Sequence, residues 1–159
     1  MVMESKNKRK LFTVSEIELI YKPKLKPSQR PTIKCSQEAY ELMVNTWDLE
    51  TIELMEQLKV IYLNRARKVL GILEVASGSP IQAAVDVRLI FGTALKANAS
   101  SIILVHNHPS GNLKVSEPDL VTTATVKQIG AFHEIPLIDH LIITSEGYLS
   151  LYGDRKSVV

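Results

Sequence analysis

The chain has 159 residues, 45% of them hydrophobic and 23% charged, which suits one domain with a packed core and is short for two. A net charge of +2 is too small to point to nucleic acid by itself, and a single cysteine, Cys35, excludes an internal disulfide framework and a cysteine-built zinc cluster. The charged opening "MVMESKNKRK" reads as no signal peptide, and runs such as "SIILV" and "HLIIT" are far too short to cross a bilayer. A soluble protein of the reducing cytoplasm is expected, with no membrane partner.

Residues 1–10 read as a mobile arm carrying Lys6, Lys8, Arg9 and Lys10. With Lys22, Lys24, Lys26 and Arg30 this arm offers weak contact to nucleic-acid phosphates, although a solvated terminus explains the same charges. "LFTVSEIELIYK" (11–22) suggests a short strand. "KPKLKPSQRP" holds three prolines and reads as a linker. The boundary drawn there divides an arm, 1–33, from a domain, 34–159. Cys35 reads as a half-buried bystander.

Ser36 is placed as the N-cap of a helix over "QEAYELMVNTW", with Ala39, Leu42, Met43 and Trp47 on one apolar face. Two strands follow, 56–64 and 68–77, around a turn at Asn64-Arg65-Ala66-Arg67, and "GSP" (78–80) makes another turn. Residues 86–99 form an amphipathic helix, capped by Asp86, that faces inward through Val87, Ile90, Phe91, Ala94 and Leu95. "SIILVHNH" (101–108) is a strand covered on both faces. A helix starts at Ser116, and strands over 135–144 and 147–152 close the chain. Exposed strand edges leave room for a homodimer. The class is α/β, a mixed sheet flanked by helices.

Chemistry gathers where the buried strand ends. His106 and His108 lie two apart in an extended segment, so both imidazoles face one point. Two imidazoles are a common start for a zinc site, which needs a third protein ligand and an open fourth position. If Ser116 caps the helix, Asp119 lies in its first turn and can complete a His-His-Asp set, while Glu117 projects elsewhere. The Ser-x-x-acid spacing also matches a plain capping box. The two readings are compatible, because a cap fixes where Asp119 points.

His106-x-His108, seven residues, Ser116, two residues and Asp119 resemble the JAMM signature of the JAB/MPN metalloprotease superfamily. "AVDVRLIFGTALKANASSIILVHNHPSGN", "HNHPSGNLKVSEPD", "IDHLIIT" and "GYLSL" are similar to the RadC family in particular, from about residue 34 onward. The chain resembles its short form, without the N-terminal helix-hairpin-helix region of longer members. The resemblance implies a cytidine-deaminase-like fold and one zinc ion held by His106, His108 and Asp119. It implies Ser116 as the donor to a tetrahedral oxyanion, and hydrolysis of a peptide or isopeptide bond in an unidentified substrate. It also carries a DNA-repair association.

One position departs from the pattern. The family's Pro-Arg-Glu-Ile corresponds here to Val87-Arg88-Leu89-Ile90, so Leu89 stands where a proton-shuttling Glu is expected. Asp86, one turn earlier, is a replacement base if it does not simply cap its helix. Glu74 is a weaker alternative, otherwise a solvent-facing strand residue. With neither acting, the domain becomes a zinc-binding interaction module, or a DNA-associated protein without peptidase activity. Asp139 and His140 point to opposite faces, so at most one can support the ligands from behind. His133 ends a helix and complements its dipole.

Overall fold

The computed structural model describes residues 14–78 and 85–152. The arm over 1–10, the first residues of the expected 11–22 strand and the end of the "GSP" turn lie outside the described residues. Of that predicted strand, residues 14–22 are described and carry no regular structure. They expose Val14, Ile17, Leu19 and Ile20.

Among the described residues, five strands make one sheet in the order β2-β1-β3-β4-β5. They are β1 (Gln57–Leu63), β2 (Val69–Ser77), β3 (Ser101–Asn107), β4 (Leu137–Ile143) and β5 (Tyr148–Ser150). All neighbours run antiparallel except β3 and β4, so the sheet is mixed, as the sequence suggests. Between β1 and β2, Asn64 holds the turn by accepting the Lys68 N–H at 2.9 Å, and Arg67 takes the left-handed conformation at φ 57°.

β3 lies at the centre, and its residues 102–105 are all buried because helices cover both faces. On one face sit α1 (Ser36–Thr46) and α2 (Leu49–Ile52). There Ala39, Met43, Trp47 and Ile52 cluster with Ile103, Val105 and Leu141. On the other sit α3 (Val87–Lys96) and α4 (Glu117–Phe132). There Ile90, Phe91, Ala94 and Val126 cluster with Val60, Ile102 and Leu104. Parallel β3 and β4 need a crossover, and α4 supplies it. This sets the first turn of α4 near the end of β3, where open α/β sheets gather ligands.

Three local expectations are corrected. Ser36 is the first residue of α1, not its cap. Cys35 holds the cap position without a side-chain bond, and the Ser36 hydroxyl instead donates to Asp139 at 2.7 Å. Leu95 is 56% exposed, because α3 buries a narrower stripe than its five apolar positions imply. Cys35 is exposed.

Candidate metal centre

The two imidazoles meet as the i, i+2 alternation requires, with His106 Nε2 and His108 Nε2 2.9 Å apart. Asp119, buried in the first turn of α4, places Oδ1 3.1 Å from His106 Nε2 and Oδ2 3.6 Å from His108 Nε2. One donor atom from each of the three residues lies within 4.8 Å of the others. Capping and convergence are one geometry. Ser116 Oγ accepts the Asp119 N–H at 3.3 Å, and the Ser116 N–H donates to Asp119 Oδ2 at 2.8 Å. Gly111, at φ 78°, turns the loop back between the histidines and Ser116.

The donor chemistry fits a divalent metal. His108 Nδ1 is 2.6 Å from the Asn112 carbonyl, which can only accept, so Nδ1 carries a proton and, in the neutral ring, Nε2 is the atom with a lone pair for the cluster. Burial opposes ionisation of Asp119, but its contacts with the His106 and His108 imidazoles, which are favourable when either ring is charged, and the Ser116 N–H outweigh it and hold the carboxyl well below the usual carboxylate range. The same Asp119 contact raises the His108 pKa above its ordinary 6.5, against burial, with smaller help from the Asn112 carbonyl and the Glu56 charge. A metal must displace that proton to bind.

His140 lies behind the site. Its Nε2 is 3.0 Å from His106 Nδ1, and its Nδ1 is 2.6 Å from Thr123 Oγ1. Burial pushes its pKa down to about 3, so it is neutral at physiological pH. Asp139 points to the other face of β4. There it accepts from the Ser36 and Ser150 hydroxyls and from the His140 and Tyr152 N–H groups. Of the pair, His140 is the one that meets the His-His-Asp group, through His106. His133 ends α4 and stacks on Phe91 at 5.4 Å.

The structure also brings in a residue that the sequence reading overlooked. Asn107, between the histidines, points to the opposite face and is fully buried. Its side chain donates to the Ile52 and Met55 carbonyls at 2.7 and 2.8 Å and accepts the Gln57 N–H at 2.7 Å. This pins the segment before β1 beside the His106, His108 and Asp119 cluster. Glu56 in that segment lines a cavity of about 530 Å³ together with His108, Ser116 and Asp119. No local motif marks Glu56. It reaches the site through the fold: β1 runs antiparallel beside β3, so its start lies next to the end of β3.

The residues considered earlier as bases are placed elsewhere. Asp86 caps α3, accepting the Arg88 N–H at 2.9 Å, and pairs with the Arg88 guanidinium at 3.1 Å. That guanidinium holds the Asp86 carboxyl below its ordinary value. Glu74 lies across β1 from Val105, on the α1 face and away from His106, where it bonds Gln57 at 2.8 Å and Lys59 at 3.9 Å. Leu89 is 43% exposed on α3. None of the three lines the cavity over Ser116 and Asp119.

Residues 33–157 match the family described as the RadC-like JAB domain. The chain belongs to this family. Among its relatives, a UPF0758 protein of Flavobacterium johnsoniae is 39% identical over 99 residues, covering 62% of this chain and 43% of the relative. A UPF0758 protein of Clostridium novyi is 44% identical over 96 residues, 60% of this chain and 42% of the relative. One from Thermotoga maritima is 39% identical over 95 residues, 60% of this chain and 43% of the relative. The match spans less than half the length of each. As a RadC-like JAB domain the chain carries a His-His-Asp group that could hold a metal ion, and none of its described helices is long and apolar enough to cross a membrane.

Proposed function

We propose that this domain is a metal-dependent hydrolase of peptide or isopeptide amide bonds, with Glu56 as its proton shuttle. The observation that carries the reading is the single cavity shared by Glu56, His108, Ser116 and Asp119. Two imidazoles and a carboxylate suit zinc, and His106, His108 and Asp119 would hold it. Once bound, zinc would supply Lewis acidity, lowering the pKa of water to about 7 and polarising a carbonyl.

The chain's own residues do the rest. Glu56 takes a proton from water as the new carbon–oxygen bond forms, then returns it to the amide nitrogen as the carbon–nitrogen bond breaks. Ser116 accepts the Asp119 N–H through Oγ, which leaves its O–H proton to donate to the developing oxyanion. Asn107 keeps the Glu56 segment in place. The interaction-module reading rested on Leu89, and Glu56 supplies the carboxylate that Leu89 lacks. Contact with nucleic acid through exposed Lys22, Lys24 and Lys26 is the second reading, and binding that weakens with added salt would support it. Cytoplasmic residence is part of the proposal.

The test is cleavage of a proteome-derived peptide library, read by mass spectrometry, for wild type and Glu56→Gln. The wild type is expected to cleave only when metal-loaded. Glu56→Gln should lose about 10²–10⁴-fold in rate while keeping its metal. A metal-loaded wild type that cleaves nothing, or a Glu56→Gln variant of full activity, contradicts the proposal.

A further inference from the structure

We propose that His140 is a positioning residue that presets His106 for the metal, through a hydrogen-bond circuit joining two ligands from behind. The inference rests on the reading that His106, His108 and Asp119 hold a metal ion.

The proton positions follow from what each group can do. The Thr123 hydroxyl donates to the Asp119 carbonyl at 2.6 Å, so its single proton is committed. Toward His140 Nδ1, 2.6 Å away, Thr123 Oγ1 can then only accept. The proton is therefore on His140 Nδ1, and His140 Nε2 has a lone pair. That lone pair accepts from His106 Nδ1 at 3.0 Å. His106 thus carries its proton on Nδ1 and turns the lone pair of Nε2 toward His108 and Asp119. The circuit starts at the backbone of one ligand, Asp119, and ends on the ring of another, His106. It crosses α4, β4 and β3, three elements that meet only in the folded chain. His140 is 1% exposed, so water cannot stand in for it. A buried residue kept for its volume alone would not need acceptor and donor in this order.

The experiment compares wild type, His140→Leu, His140→Gln and Thr123→Val as full chains. Zinc affinity is read by competition with a chromophoric chelator, and the ligand field by the absorption of the cobalt form. Circular dichroism and melting check folding. His140→Leu keeps an apolar filling but offers His106 no acceptor, and should bind zinc about 10–100-fold more weakly with a changed cobalt spectrum. His140→Gln supplies an amide oxygen to His106 and an amide N–H to Thr123, and should recover most of the loss. Thr123→Val frees the His140 tautomer and should give a smaller loss.

A folded His140→Leu with wild-type zinc affinity overturns the proposal, as does a Gln variant no better than Leu. If His140→Leu does not fold, Thr123→Val decides, and unchanged affinity overturns it. A wild type that binds no zinc removes the metal reading itself, and this proposal with it.

Discussion

Asp139 and His140 are neighbours in β4 and both are buried, at 5% and 1% exposure, yet their surroundings differ in kind. Asp139 faces α1 and is ringed by donors: two serine hydroxyls and two backbone N–H groups. All its capacity is spent inside the scaffold. His140 faces α4 and has one neighbour on each nitrogen, arranged in a line that ends at His106. The same division holds in β3, where Asn107 ties backbone together and His106 and His108 face the cluster. One face of the sheet end is fastening and the other is the site. Burial of a polar side chain therefore does not identify its role, whereas the direction of its hydrogen bonds does.

The comparison breaks if Asp139 acts on the metal. Asp139→Ala removes the acceptor of the Ser36 hydroxyl and of the His140 and Tyr152 N–H groups. At about 1–3 kcal/mol per orphaned group, the expected loss is about 4 kcal/mol. Urea unfolding measures it, and the zinc affinity of the folded fraction should stay near wild type. A loss of affinity without a loss of stability would reverse the roles assigned to the two faces.

The acid range sharpens it. The His140 pKa is about 3 in the folded protein against an ordinary 6.5. Between those values the unfolded chain takes up a proton and the folded chain does not, so His140 weakens the fold as pH falls through this window. Its contribution is intact above pH 6.5 and is worn away toward pH 3, by roughly 3 kcal/mol near pH 4. Metal-free His140→Leu should therefore lose less stability than wild type between pH 6.5 and 4, measured by denaturation at each pH. Parallel curves would show that His140 is not buried as a neutral ring.

Asn107→Ala tests the fastening face with the smallest change. It leaves the Gln57 N–H and the Ile52 and Met55 carbonyls without their partner, at a cost of about 3 kcal/mol, the low end of about 1 kcal/mol for each. Hydrolysis should fall because the Glu56 segment is released, with metal content unchanged. Full activity would mean that the segment holds its place without Asn107.

Periodicity made most of the fold legible. The apolar run of β3, the runs of β1 and β2 around their polar turn, and the stripes of α1 and α3 are local patterns, and each of these elements forms within a few residues of its expected bounds. The convergence of His106, His108 and Asp119 was legible because their spacing sits in one strand–loop–helix segment. Glu56 was not, because it reaches the site only through the pairing of β1 with β3 and through the Asn107 side chain. Ser36 was misread for a related reason: a serine at a helix start usually caps it, and the Asp139 partner lies 103 residues away. Asp86 and Glu74 were considered for their closeness in sequence to Leu89, and sequence closeness says nothing about which face of the sheet a side chain takes.

The most direct test of the central claim is metal content by elemental analysis of wild type and Asp119→Ala, both purified without chelator and offered zinc. The account predicts about one zinc per wild-type chain and none retained by the folded variant, since two imidazoles alone leave the site without its third protein ligand. A wild type that holds no metal, or a variant that holds as much as wild type, would contradict it.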